Sequence, residues 1–256
     1  MTKNIKKLIV FLESLKDNEL IINCDDWKEV ELKIKELLTK NGFVETSFDI
    51  LKSQSQNNIA KKIKRIKQLT TNKNNIFPIK NIFFKELKLN FIYIPFGIQE
   101  FPDFILFIDD IIFPLEIKTS NHSNTPSFNT NLPKSNSIYI FKTKKNITYF
   151  FGENILSNRN RVLLNKYLNI IQESQKLMSL IEQLKTNNDQ ENLFGLKPYA
   201  RIFFKPSLEF STLDNFTIFD TKITKTLENN TKNTILNIEQ VFKIGYPKYF
   251  NNIQND

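Results

Sequence analysis

Three side chains in this sequence have the types and spacing to do chemistry together: Asp103, Glu116 and Lys118. Asp103 follows Phe101-Pro102 and opens the apolar run FILFID, while Glu116-Ile117-Lys118 closes a second apolar run, DIIFPL. If Asp109 and Asp110 form the tip of a hairpin, Asp103 falls directly across from Glu116. A two-residue loop at 109–110 and a four-residue loop at 108–111 both give that register, and a three-residue loop breaks it. The alternation of a strand then puts Glu116 and Lys118 on one face and sends Leu115 and Ile117 to the other, which the pattern predicts to be core. Opposed carboxylates lie about 4.5–5.5 Å apart at Cβ, and like charges so placed destabilise a sheet unless a cation intervenes. Mg²⁺ resolves that conflict, because it takes oxygen ligands, needs only one or two protein carboxylates, and completes its shell with water and phosphate oxygens. With Lys118 on the same ridge to stabilise charge developing at phosphorus, the group reads as a phosphodiester hydrolase site. The alternative is an ordinary amphipathic strand on which Glu116 and Lys118 form a solvent-side ion pair. Pro114 cannot donate to a ladder, so its place in the second strand predicts an edge position or a bulge.

Scarce residues exclude most other chemistries. The five glycines (Gly42, Gly97, Gly152, Gly195, Gly245) cannot build G-x-G-x-x-G or G-x-x-x-x-G-K, so backbone cradles for a nucleotide cofactor are missing. One histidine, His122, and one cysteine, Cys24, cannot assemble a Cys/His zinc site or a convincing His-activated nucleophile. An enzyme of this composition must work with carboxylates, lysines or hydroxyls.

The string Pro102-Asp103, an apolar hairpin, then Glu116-Ile117-Lys118 resembles the PD-(D/E)xK nuclease superfamily and, within it, the type II restriction endonucleases of restriction–modification systems. The resemblance covers roughly residues 85 to 152. It implies Mg²⁺ held by Asp103, Glu116 and the carbonyl of Ile117, with Lys118 orienting or deprotonating the attacking water. Many members add an acid from an N-terminal helix or a preceding strand. Glu29, Glu31, Glu45, Glu86 and Glu100 all compete for that role here, with Glu31 preferred.

Lysine plus arginine total 36 against 27 acids, a net charge of +9, which favours a polyanionic partner. The richness in Asn, Ile, Lys and Phe also fits an AT-rich coding genome, so part of the lysine excess need not be functional. Residues 120–136, SNHSNTPSFNTNLPKSN, leave the catalytic strand directly in a long polar connection. There Asn124, Asn129, Asn131, Lys134 and Asn136 are candidates to read base edges, and His122 to touch phosphate; an ordinary Asn-rich loop is the plainer alternative. Arg159 and Arg161, at the start of a long helix, are candidates to hold a phosphate. Lys61, Lys64 and Arg65 lie on the outward side of a short helix, where phosphate contact and simple solvation weigh equally.

The elements that must position these groups are legible from periodicity. Helical patterns run over 3–16, over 26–40 with Asp25 or Asp26 as N-cap and Asn41-Gly42 as stop, and over 57–69 with Ile59, Ile63, Ile66 and Leu69 inward. Strand-like segments follow: IFFKELKLNFIYI, DFILFID, IIFPLEIKT, SIYIFKT and ITYFFG. A helix from Asn160 to Thr186 carries Leu163, Tyr167, Ile170, Leu177, Ile181 and Leu184 on one stripe, read as core packing in preference to a dimer seam. The segments beyond Tyr199 find no place. The sequence therefore predicts an α/β (α+β) fold, a central mixed β-sheet flanked by helices, restriction-endonuclease-like by resemblance. One domain spans 1–256, with the catalytic core at about 80–155 and helical or mixed extensions at both ends. The N-terminal apolar run ends at Glu13, too short for a secretory leader, and no stretch reaches the roughly 18 residues of a membrane span. Together with the single cysteine, this predicts a cytoplasmic protein without membrane or nucleotide-cofactor partners. The expected activity is a Mg²⁺-dependent, sequence-specific endonuclease acting on double-stranded DNA as a homodimer. The alternatives are a structure-selective repair or recombination nuclease, and a non-catalytic nucleic-acid-binding protein.

Overall fold

A computed structural model describes residues 2–16, 18–54, 58–72, 78–83, 86–121, 126–129, 132–152, 161–171, 173, 174, 176, 203 and 204. Three helices open the chain: α1 (Lys3–Glu13), α2 (Glu19–Ile22) and α3 (Trp27–Lys40). Of the two candidate caps for α3, Asp26 is the one used: its carboxylate accepts from Lys28 N at 2.6 Å and Glu29 N at 3.2 Å. The stop is a Schellman turn, with Gly42 at φ +84°, Gly42 N donating to Thr39 O and Phe43 N to Leu38 O. Strand β1 (Val44–Thr46) and helices α4 (Phe48–Gln54) and α5 (Ile59–Thr71) follow, then β2 (Ile79–Lys80), β3 (Leu89–Tyr93), β4 (Phe104–Ile108) and β5 (Ile111–Ser120). After the two-residue β6 (Phe128–Asn129) come β7 (Ile138–Thr143) and β8 (Ile147–Phe151); β9 (Phe203–Phe204) pairs with β6. Residues 161–171 are helical.

The sheet is open and mixed, in the order β1-β3-β4-β5-β7-β8, with β2 also pairing β5 to make seven strands. β1 runs parallel to β3 and β5 parallel to β7; the remaining neighbours are antiparallel. Alternation divides the side chains cleanly. On one face Phe104, Leu106, Phe113, Leu115, Ile117 and Ile140 pack beneath α1 and α3. On the other, Ile92, Ile105, Phe107 and Ile112 meet Leu51 of α4 and Ile66 of α5, and Tyr139, Phe141 and Phe150 continue that face with Phe128. A sheet covered on both sides explains why β4 is apolar at every position.

The central hairpin turns at Asp109-Asp110, since Ile108 pairs Ile111 and Phe104 pairs Leu115. Asp109 takes φ +49°, a backbone region that Asp tolerates better than most residues. Its carboxylate is latched by α1, accepting from Thr2 Oγ1 at 2.6 Å and Asn4 Nδ2 at 2.7 Å. Asn81 braces the turn from behind, donating from its amide to the carbonyls of Leu87 and Asp109. The same side chain accepts from Phe83 N at 2.9 Å, bending the chain there. Among the described residues of the expected long strand IFFKELKLNFIYI, the strand runs over Leu89–Tyr93, beyond that bend.

Pro114 corrects a second expectation. It is neither at a sheet edge nor in a bulge; it pairs Ile105 in an interior strand with continuous register. A two-residue hairpin makes 104/115 and 106/113 hydrogen-bonded pairs, so the nitrogen of residue 114 points away from β4. On that side β5 pairs β2 at residues 111 and 112 and β7 from Leu115 onward. The missing N–H thus falls between two partners and costs no ladder bond.

The helical stripe beginning at Leu163 is a third correction. Leu163, Tyr167 and Ile170 are exposed, and Leu168 is the buried residue, packed with Leu164 on Leu132. Leu177, Ile181 and Leu184 lie outside the described residues. Among the described residues, no helix is long and apolar enough to cross a membrane.

Candidate active site

Continuing the β4–β5 register one step past Phe104 and Leu115 sets Asp103 opposite Glu116. Asp103 is held in that place twice. Its carbonyl accepts from Ile94 N at 2.8 Å, and its carboxylate Oδ2 accepts from Ile117 N at 2.6 Å. The second bond is available because the hairpin alternation aims both the N–H and the C=O of Ile117 toward β4, beyond the end of that strand. Glu116 and Lys118, two apart on β5, share a face, and Lys118 Nζ meets Glu116 Oε1 at 2.6 Å. The pair is not a solvated surface bridge: the side chains are 23% (Lys118) and 12% (Glu116) exposed. Glu116 Oε2 is buried with no hydrogen-bond partner among the described residues. On the neighbouring strand Tyr139 stands in register with Glu116, and its hydroxyl accepts from Lys134 N at 2.8 Å.

A third acid arrives from a distant part of the chain. Glu31 on α3 is 6% exposed, and its Oε2 accepts from the Tyr93 hydroxyl at 2.7 Å. Of the five acids that compete for an accessory role, it alone is buried and within electrostatic reach of Asp103 and Glu116. Glu29 and Glu86 are exposed, Glu45 pairs with Lys35, and Glu100 pairs with Lys67.

The electrostatics are those of a site short of positive charge. Asp103 is pushed up from 3.8 to about 8, first by burial and then by repulsion from Glu116; the Ile117 N–H opposes the rise, Glu31 adds to it, and Lys118 offsets a part. Burial also holds Glu31 above the ordinary carboxylate range, against the Tyr93 hydrogen bond and with Glu116 adding to the effect. Tyr93 is raised in turn, by burial and by Glu31. Lys118 beside Glu116, with Lys28 acting on Glu31, does not offset the burial and mutual repulsion that raise Asp103 and Glu31.

Among the described residues, no group of three Asp, Glu, His or Cys side chains is close enough to hold a metal ion unaided. Mg²⁺ does not require one, since two carboxylates with solvent or phosphate oxygens suffice. Asp103, Glu116 with its orphaned Oε2, and the Ile117 carbonyl on the same edge offer a hard-oxygen donor set that fits this ion.

The sequence-based DNA contacts divide by placement. Lys61, Lys64 and Arg65 are exposed on α5, on the same side of the sheet as Glu116 and Lys118. Lys134 and Arg161, expected to read or hold DNA, are instead internal. Lys134 is 4% exposed; its Nζ donates to Thr71 O at 2.8 Å and lies 5.6 Å from the centre of the Phe101 ring. Arg161 is 3% exposed and donates to the Pro133 carbonyl. Both fasten the 132–137 segment, Lys134 to the end of α5 and Arg161 to the following helix. Asn136 is half-buried in the turn before β7, and Asn129 belongs to the β6 strand pair. His122, Asn124, Asn131 and Arg159 lie outside the described residues. Tyr93 and Tyr139, which flank the acids, were not legible as site residues, because an aromatic in an apolar strand carries no mark of what its hydroxyl will meet.

Comparison with protein-family models, curated proteins and solved structures finds no match to this chain.

Proposed function

We propose that this chain is a Mg²⁺-dependent endonuclease acting on double-stranded DNA, built around Asp103, Glu116 and Lys118 in the manner of the type II restriction enzymes it resembles at those residues. The observation that carries the reading is the unbalanced charge. Two carboxylates set on adjacent strands, one pushed to about 8 and the other with a buried unpartnered oxygen, form a site that a divalent cation would complete. A purely structural Glu116–Lys118 ion pair explains neither Asp103 nor the approach of Glu31.

When bound, Mg²⁺ supplies Lewis acidity and neutralises charge on a phosphate. Asp103 and Glu116 are the residues that would hold it, with the Ile117 carbonyl beside them. Lys118 keeps its ammonium 2.6 Å from Glu116 Oε1, where it can orient an attacking water and stabilise charge developing on phosphate oxygens. Glu31, anchored by Tyr93, adds negative potential at Asp103 and Glu116. The exposed cations of α5 supply sequence-independent attraction for a DNA backbone on the same side of the sheet. A restriction-endonuclease-like arrangement of the α/β fold and a two-fold dimer on palindromic DNA belong to the same proposal.

Digestion of a long sequenced duplex with purified protein and Mg²⁺, followed by mapping of fragment ends, tests it. Discrete fragments support site-specific cutting, and cleavage restricted to junctions, flaps or ends points to a structure-selective nuclease. Asp103→Ala and Lys118→Ala should abolish Mg²⁺-dependent cutting, while Ca²⁺ supports binding with little turnover. Equal cutting by wild type and both variants, or none by any, overturns the assignment of catalysis to these residues.

A further inference from the structure

Among the described residues, the helix at 161–171 is fastened through Arg161, Leu164 and Leu168. Arg161 donates to the Pro133 carbonyl, and Leu164 and Leu168 pack on Leu132. The adjoining face is apolar and open: Leu163 is 58% exposed, Tyr167 53% and Ile170 62%. With exposed Ser174 they follow the spacing 163, 167, 170, 174, alternating steps of four and three, which is the d-a-d-a seam of a heptad. A seam of that period matches a second helix lying along it, and an isolated solvated helix has no such requirement.

The flanking charges choose the occupant. Lys166 and Glu173, both exposed, occupy the same flank of the seam one heptad apart, at its g positions. In a parallel pair the g flank faces the e flank, so Lys166 would meet residue 171 of the other helix, which is Ile171 and half-buried against its own chain. In an antiparallel pair g faces g, so Lys166 of each copy meets Glu173 of the other, twice about a two-fold axis. Tyr167 then packs on Ile170 of the second copy, and Leu163 on Ser174. The surface is complementary to itself in that one orientation.

We propose that Leu163, Tyr167 and Ile170 form the seam of a homodimer in which this helix packs antiparallel on its two-fold-related copy. The seam deepens the two-fold dimer of the nuclease reading but uses none of the site residues, so a chain that dimerises without cutting DNA, or cuts it as a monomer, separates the two. Sedimentation velocity of the full-length protein without DNA, from about 1 to 100 µM, tests it. Wild type should associate to a dimer, and Ile170→Glu should be monomeric throughout. Lys166→Glu and Glu173→Lys, each turning two attractive contacts repulsive, should weaken the dimer by roughly tenfold, and the double exchange should restore it. Superposable thermal melts establish that each variant is folded; if Ile170→Glu is not, Tyr167→Lys replaces it. A protein monomeric at all concentrations, as when its own C-terminal segment covers the stripe, overturns the proposal. So does a dimer indifferent to Ile170→Glu, or a double exchange that fails to restore association.

Discussion

Replacing Asp103 by asparagine should stabilise the metal-free protein at alkaline pH. The substitution preserves an oxygen to accept from Ile117 N while removing the buried charge that faces Glu116. In the folded chain Asp103 is pushed from 3.8 to about 8, so between those values the folded state binds more protons than the unfolded one. Stability must then fall as pH rises from about 4 to about 8 and level off above. A displacement of about four pH units at about 1.36 kcal/mol each sets a ceiling near 6 kcal/mol. Local relaxation and partial solvent access reduce this to an expected 2–3 kcal/mol or so, roughly 5–10 °C in melting temperature for a chain of this size. The assay is thermal unfolding in EDTA from pH 4 to 9 for wild type and Asp103→Asn. Glu31, also raised, titrates in both proteins, so the difference between the two profiles belongs to Asp103 and its coupling to the neighbouring acids. Mg²⁺ at pH 8 should raise the wild-type melting temperature and leave that of the variant nearly unchanged. A difference profile flat from pH 5 to 8, or a variant melting below wild type at pH 8.5 in EDTA, would refute the charge argument.

Tyr93→Phe removes the donor to a buried carboxylate and should cost about 1–3 kcal/mol, more at pH 8 than at pH 5 because the ionised form of Glu31 loses its partner; melting at the two pH values checks this. Gly152→Ala should destabilise by about 1–3 kcal/mol or more, read by urea unfolding, because a Cβ there would stand 1.9 Å from the Lys134 carbonyl oxygen, which is backbone and cannot turn aside. Alanine at Lys61, Lys64 or Arg65 should each reduce the slope of log binding constant against log salt by about 0.9 on duplex DNA, measured by fluorescence anisotropy, without altering where the DNA is cut.

Much of the site could be read from a short stretch of chain. Asp109-Asp110 as a turn and the strict alternation of its flanks are local facts, and they suffice to oppose Asp103 and Glu116 and to align Lys118 with Glu116. Helix α3 was equally legible, because Asp26 and Gly42 act on backbone groups within three or four residues. Both depend on geometry that repeats every two or 3.6 residues and is written wherever the chain follows it.

Other features depended on which surfaces meet, and no local period encodes that. Glu31 was one of five acids until the docking of α3 on the sheet brought it beside Tyr93. Lys134 and Arg161 looked like surface cations, yet they are internal because carbonyls of Thr71 and Pro133 come to meet them. Pro114 is tolerated inside a sheet because β2 ends and β7 begins on either side of it. Leu163, Tyr167 and Ile170 have the period of a buried stripe, and only the docking of Leu164 and Leu168 on Leu132 shows that a different side faces inward. The hairpin register and the helix ends are written locally, since they follow from bonds between residues a few positions apart. Tertiary structure decided burial, and with it which acids share a charge problem, because burial is a property of two surfaces brought together from distant parts of the chain.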